Sequence, residues 1–451
     1  MPTFRKLLIN SLLSGVTSTF LWFAVTFWVY LETRSVVTTS VIGGAFSAAS
    51  AVLGIVFGTF VDRHRKKTVM LFATTASLSC YSLATVIYVL VDRDDLLELT
   101  NVAFWLFVFA ILTGSVAGNM RSIALSTCVT LLVAENDRSR ANGMVGTVTG
   151  VSFAITSVFS GLVVGRLGMG WALGAALVVT LSAALHLLTI TIDEPARRAR
   201  IRDGADAGAN GPGPRWIDVR GALEAIRETP GLMALIFFAA FNNLLGGVFM
   251  ALMDPYGLSL VSVEAWGLLW GVLSFGFIVG GLIVARRGLG PNPLRLIIMG
   301  NLVNWTICTA FTLRSSILTL ALGMFVWLTM IPIIEAAEQT VLQRAVPFDR
   351  QGRVFGFAQT IEHAAMPLTA FLIGPIAEVV FIPFMTTGRG VDLIGGWFGT
   401  GPERGLALIF TIAGMIGLLA TARAWTSHSY RTLSTITASP AQMTRARSFD
   451  R

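Results

Sequence analysis

Residues 58–67 read Gly58-Thr59-Phe60-Val61-Asp62-Arg63-His64-Arg65-Lys66-Lys67, and apolar runs over 36–61 and 68–91 flank them. Each run exceeds the ~20 residues that an α-helix needs to cross the hydrocarbon core of a bilayer. The stretch is therefore the tight connection of a membrane hairpin. Its glycine permits close helix approach, and its basic run anchors the loop to one membrane face. Asp62, at a helix end, can face the positive N-terminus of another helix. A solvated, topology-setting charge run is the alternative reading, and it accounts fully for Lys66 and Lys67.

The rest of the chain repeats this pattern. Of 451 residues, 54% are hydrophobic and only 13% charged, with mean hydropathy +0.73; soluble globules carry roughly 25% charge. Apolar segments recur at 9–31, 36–61, 68–91, 101–133, 142–165, 171–192, 230–254, 263–285, 294–313, 315–343, 353–384 and 404–426. Twelve spans are predicted, six on each side of a hydrophilic stretch. Arg5 and Lys6 before the first run imitate a secretory signal, but the run continues to Leu31 without a cleavage site, which makes it a retained span. The predicted organisation is a six-helix bundle over 1–192, a cytoplasmic linker over 193–229, a second bundle over 230–426 and a flexible cytoplasmic tail over 427–451. Within the linker, Asp203 to Pro214 is rich in Gly, Pro and Ala, and Trp216 to Glu228 reads as an amphipathic surface helix. Pro230-Gly231 marks the turn into the seventh span.

Net charge is +8, which in a soluble chain points to nucleic acid. Its distribution gives a different answer. With both termini cytoplasmic, the cytoplasmic segments hold 26 of the 33 basic residues and the external loops six, Arg34, Arg93, Arg166, Arg314, Arg389 and Arg404. The remaining one, Arg121, is inside a span. The excess is a topology signal for a multi-pass protein of the cell membrane, and no nucleic-acid partner is implied. Cys80, Cys128 and Cys308 lie in apolar stretches without a C-x-x-C pair, so neither disulfides nor a zinc site is expected. The four histidines are scattered and no phosphate-binding G-x-x-x-x-G-K-[ST] loop is present, which argues against a metal-dependent enzyme and an ATP-driven pump.

The two halves echo one another. The fourth-to-fifth connection, Glu135-Asn136-Asp137-Arg138-Ser139-Arg140-Ala141-Asn142-Gly143, resembles the tenth-to-eleventh, Pro347-Phe348-Asp349-Arg350-Gln351-Gly352-Arg353-Val354-Phe355-Gly356. Both contain Asp-Arg, a second Arg, and a Gly. Gly58 to Arg63 is matched after the eighth span by Gly281 to Arg286, with Ala285 in place of Asp62. Repeated halves about a linker are a recurrent plan of secondary transporters.

Gly58 to Lys67 closely resembles the G-x-x-x-D-R-x-G-R-[RK] signature of the major facilitator superfamily, at that family's position between helices 2 and 3; Arg65 replaces the usual Gly. The resemblance covers roughly residues 5–426. It implies an all-α integral membrane protein with twelve transmembrane helices in two pseudo-symmetric six-helix bundles, acting as a monomer among membrane lipids, with no cofactor. It also implies a cytoplasmic lock that helps hold the outward-open state, which assigns gating to Gly58, Asp62 and Arg63, together with Asp137, Arg140, Asp349 and Arg353 of the paired loops. The stretch from Gln343 to Phe355 is similar to a Q-x-x-V-P and G-R-V-F pattern of the drug:proton antiporter branch, which includes macrolide and enterobactin exporters. Its fifth-helix motif usually contains G-P, whereas Gly150 to Gly161 has Thr156-Ser157 there.

Charges inside spans are costly and mark pathways or relays. Arg121 lies in the fourth span, Glu335 and Glu338 in the tenth, and Glu362 with His363 in the eleventh. Glu335 and Glu338 share a helix face, about 8 to 13 Å deep at ~1.5 Å per residue, with Glu362 about 15 Å deep. The family plan makes spans 1, 4, 7 and 10 line a central cavity, so the resemblance has Arg121 and Glu335 face it. Glu335, Glu338 or Glu362 is then the expected proton-binding carboxylate and Arg121 its charge partner; a static charge pair is the alternative. Phe20, Trp22, Phe23 and Phe27 of the first span and Asn242 and Asn243 of the seventh are candidates for substrate contact, with packing and interhelical hydrogen bonding as the alternatives. The function this implies is proton-coupled export of a lipophilic or amphipathic small molecule, such as a drug or siderophore. An uncoupled facilitator or importer is the second reading, and a non-transporting receptor the third.

Overall fold

The computed structural model describes residues 2–33, 36–194 and 218–437. Twelve long helices follow in order: α1 (Pro2–Thr33), α2 (Val36–Arg63), α3 (Lys66–Leu90), α4 (Val102–Leu132), α5 (Arg138–Leu167), α6 (Met169–Leu188), α7 (Leu232–Leu258), α8 (Val263–Arg287), α9 (Pro293–Ala310), α10 (Ile317–Ala345), α11 (Gln351–Ile376) and α12 (Pro402–Thr426). They coincide with the twelve spans read from hydropathy, and among the described residues there is no strand. Eleven are long and apolar enough to cross a membrane on those grounds alone. The exception is the 18-residue α9, whose apolar run is broken by Arg295, Asn301 and Asn304.

Local chemistry sets the ends. Gly168 (φ 88°) makes the one-residue turn between α5 and α6, and Gly231 (φ 89°) precedes α7; both occupy backbone space that glycine enters without a Cβ penalty. Asn101, Ser262 and Asn292 cap α4, α8 and α9 by accepting from the backbone N–H groups of Ala103, Ala265 and Arg295. α11 contains Pro367 and Pro375. It widens into a π turn over Ala377–Phe381 and continues as a short helix, Ile382–Thr386. A proline removes a ladder donor, and a wider turn accommodates that loss.

Of the amphipathic linker segment, Val219–Arg227 is helical, and Trp216 lies outside the described residues. The tail expected to be flexible from residue 427 instead begins as a helix, His428–Thr437, whose Leu433 and Thr437 are buried. The reason is packing. Leu433 lies beside Gly231, where a Cβ would stand 3.0 Å from it, and Arg344 Nη1 donates to the Thr437 carbonyl at 2.8 Å.

The chain packs into two compact units. Unit 1 comprises Met1–Arg138, Ile155–Ile226 and Val346–Thr360; unit 2 comprises Ser139–Ala154, Arg227–Ala345 and Ile361–Arg451. The first part of α11 therefore packs with α2, and the first part of α5 with α8 and α10.

In unit 1, Leu21, Trp28, Tyr81, Phe104, Phe107, Ile111 and Leu173 form a core from α1, α3, α4 and α6. Trp28 and Phe107 meet edge-on at 5.3 Å. Tyr81 is seated against Gly114, where an added Cβ would lie 2.5 Å from the ring. In unit 2, Phe249 is the hub of an aromatic cluster, 5.0 Å from Phe410, 5.3 Å from Trp327 and 6.1 Å from Phe311 between ring centroids. Lipid is as apolar as these side chains, so close packing and hydrogen bonds, rather than water exclusion, hold such bundles together.

Candidate functional site

The α2–α11 crossing in unit 1 is built from glycines. A Cβ on Gly54 would lie 2.8 Å from the Gly356 carbonyl oxygen and 2.5 Å from Thr360 Oγ1, and one on Gly58 would collide with the Gly352 carbonyl. Facing glycines four residues apart let the two backbones touch. That contact brings Asp62, at the end of α2, onto the start of α11. The Gly352 N–H donates to Asp62 Oδ1 at 2.6 Å, and the Arg353 N–H and Nε donate to Oδ2 at 2.9 and 3.1 Å. The carboxylate, only 3% exposed, thus caps a helix N-terminus and pairs with a guanidinium.

Two further residues join this cluster, Asp218, which sequence reasoning did not single out, and Lys66, which it read as a topology-setting charge. Arg353 Nη1 donates to Asp218 Oδ2 at 2.6 Å. Lys66 is not a solvated charge: it is 3% exposed, its Nζ donates to the Val61 carbonyl at 2.6 Å, and it stands 5.4 Å from the Phe348 ring centroid. Its backbone N–H donates to Glu194 Oε1 at 2.7 Å. Lys66 lies inside the signature, and that was its signal; Asp218, 156 residues beyond Asp62, offered none.

Arg63 is exposed beside this cluster, as is Asp349 in the 3-10 turn Phe348–Arg350 that leads into α11. In unit 2 the matching crossing, α5 on α8, is equally tight and carries no acid. A Cβ on Gly143 would lie 2.5 Å from the Ala285 nitrogen, and one on Gly281 would lie 2.5 Å from the Thr147 nitrogen. Next to it, Asn142 Nδ2 donates to Thr340 Oγ1 at 2.8 Å and Gln343 Oε1 at 3.0 Å, and Gln343 Nε2 donates back at 3.2 Å. Asp137 stands at the N-cap position of α5 without making a side-chain cap, and Arg140 is exposed.

Arg121 is hydrogen-bonded within unit 1. It is 5% exposed within unit 1, donating from Nη1 to Thr74 Oγ1 at 2.9 Å and from Nη2 to Asn10 Oδ1. Asn10 Nδ2 in turn donates to the Ala183 carbonyl at 2.7 Å. The guanidinium therefore ties α4 to α1, α3 and α6 within unit 1. A buried cation seeks polar partners within reach, and Asn10 and Thr74 supply them.

The three glutamates belong to unit 2. Glu335 is exposed on α10, nine residues from the lipid-type position Val326, which is 38% exposed. At about 100° per residue these two point in opposite directions. Glu335 is therefore turned away from the apolar positions Leu322 and Val326. Glu338 is half-buried, with one carboxyl oxygen enclosed and unbonded, and its carboxyl lies near that of Glu362 on α11. His363, the next residue, is exposed.

The substrate candidates divide. Phe20 is 8% exposed in the unit 1 core. Trp22 lies 4.9 Å from Phe23 and 5.4 Å from Phe46, Phe23 stacks on Phe27 at 5.9 Å, and Phe27 is 38% exposed. Asn242 is occupied: its amide donates to the Phe238 carbonyl at 2.6 Å and accepts from Trp305 Nε1 at 2.7 Å. Asn243 is half-buried.

Comparison with known proteins agrees with this architecture. The chain is 21% identical over 383 residues to macrolide efflux protein A of Streptococcus pyogenes, covering 81% of this chain and 87% of the relative. It is 21% identical over 406 residues to the enterobactin exporter of Shigella boydii serotype 18, covering 87% and 89%. Among solved structures, a bacterial homologue of the iron transporter ferroportin, in its outward-facing state, superposes with TM-score 0.66 at 14% identity over 95% of this chain and 100% of that one. The sequence model of the Major Facilitator Superfamily matches residues 7–370, and with twelve helices and the α2–α3 signature in place, this chain belongs to that superfamily of membrane transporters.

Proposed function

We propose that this transporter exports a lipophilic or amphipathic small molecule, of drug or siderophore type, in exchange for protons, by alternating access. The observation that carries the proton half of this reading is the set of three carboxyl groups on α10 and α11. Two half-buried carboxyls held near one another are not readily both ionised, so the pairing of Glu338 with Glu362 favours one proton between them. Glu335, one helical turn away on the same face, is its exposed neighbour. The export half is supported by the relatives, which are named for macrolide efflux and enterobactin export.

The gate in this reading is the α2–α11 crossing with Gly58, Asp62 and Arg353, flanked by Arg63 and Asp349; Asp137 and Arg140 flank its α5–α8 counterpart. The 26 basic residues of alternate connections support cytoplasmic termini and a place in the cell membrane. Residues 1–192 and 230–426 are the two repeats of a functional monomer. Trp22, Phe23, Phe27 and Asn243 are the remaining candidates for substrate contact.

Efflux of radiolabelled erythromycin and of enterobactin from proteoliposomes with an imposed proton gradient tests the reading. Transport that collapses on adding a protonophore is expected. Transport that survives supports the second reading, an uncoupled facilitator or importer, which the absence of a proline from all 30 residues of α5 favours.

A further inference from the structure

Arg353 is shared between two carboxylates on different elements. Its Nε bonds Asp62 of α2, and its Nη1 bonds Asp218, which immediately precedes the linker helix Val219–Arg227. Asp218 makes two more bonds: its Oδ1 accepts from the Gly221 N–H at 2.9 Å, capping that helix, and its own N–H donates to Thr59 Oγ1 on α2 at 3.3 Å. Gly221 leaves room for the pairing, since a Cβ there would stand 2.7 Å from Arg353 Nη1. The linker helix also buries Ala222, Ala225 and Ile226. The Asp218 side chain is 22% exposed and that of Arg353 24%, so this pair is shielded from much of the screening that weakens surface salt bridges. One residue thus reaches α2 through Thr59 and α11 through Arg353.

We propose that Asp218 makes the linker helix a third member of the α2–α11 latch, acting as a positioning residue for Arg353 whose charge restrains separation of the two helices. The proposal rests on the reading of that crossing as a gate. It gives the connection between the two repeats a mechanical role: a linker that is docked holds the crossing shut, and a linker that is displaced releases it.

Thr360 reports on the crossing, because its hydroxyl packs against Gly54, 2.5 Å from where a Cβ there would stand. The full-length Thr360→Cys protein in proteoliposomes is labelled with fluorescein maleimide, and labelling of the parent is subtracted. Asn caps a helix as well as Asp does, so Asp218→Asn keeps the cap and removes only the charge. It is expected to raise the labelling rate at least threefold, as Asp62→Asn does, while Asp218→Glu stays within twofold of the unsubstituted rate. Thr59→Val, which removes the anchor on α2, is expected to act in the same direction and serves if Asp218→Asn does not fold. Faster labelling in Asp62→Asn with no change in Asp218→Asn or Thr59→Val overturns the role of the linker and leaves the gate standing. Equally fast labelling in Asp218→Glu also overturns it, because loosening is then independent of charge. No change in Asp62→Asn removes the gate reading itself.

Discussion

Asp62 and Asn242 are both polar residues in apolar helices, and their partners give them different work. Asp62 receives three donors from the first turn of α11. Hydrogen bonds to a charged group are worth roughly 1.5–3 kcal/mol each, so the end of α2 is held by one side chain. Asn242 was a candidate for substrate contact, yet its amide is committed to Trp305, which is 3% exposed. Asn242→Leu leaves the indole N–H buried without an acceptor, at a cost of about 1–3 kcal/mol. Thermal unfolding in detergent should show that loss, with substrate preference unchanged. Altered preference at unchanged stability would return Asn242 to the binding site.

At the scale of elements, two glycine-lined crossings are alike in geometry and different in charge. Gly281 of α8 is packed on the Thr147 backbone, whereas nothing lies within 4 Å of a Cβ on Gly161 of α5. Gly281→Val should therefore push α5 from α8 and lower both the melting temperature and transport, while Gly161→Val changes neither; equal behaviour of the two would show that the close approach is dispensable. The segment between α11 and α12 has a different partner. Its helix, Arg389–Phe398, buries Gly390 and Phe398 and leaves Leu393 71% and Trp397 68% exposed, one turn apart. An amphipathic helix with Trp and Leu on its free face lies in the membrane interface. Brominated phospholipids should quench the parent protein more than Trp397→Phe, and equal quenching would show Trp397 to be in water. The helices themselves were legible because an apolar run of twenty residues is a long, redundant signal. Register was not: Asp62 meets Arg353 across 291 residues and Asn142 meets Gln343 across 201, and no local pattern encodes which turns of two helices will face each other.

For the whole molecule, scarcity of charge made the site partly readable. Glu335, Glu338 and Glu362 stand out of an apolar sequence, and the structure brings the carboxyls of Glu338 and Glu362 near one another. Arg121 stood out in the same way, but its hydrogen bonds to Asn10 and Thr74 within unit 1 were not legible, because hydropathy cannot tell which face of a helix meets which neighbour. Asp218 was hidden among the many charges of the linker, where one more acid carries no signal. The account as a whole turns on whether those glutamates bind the transported proton. In proteoliposomes containing pyranine, transport by the unsubstituted protein should be accompanied by a pH change of the lumen. Glu335→Gln or Glu338→Gln should abolish that change or reduce it at least tenfold relative to transport. Proton movement unaltered in both variants would contradict the assignment.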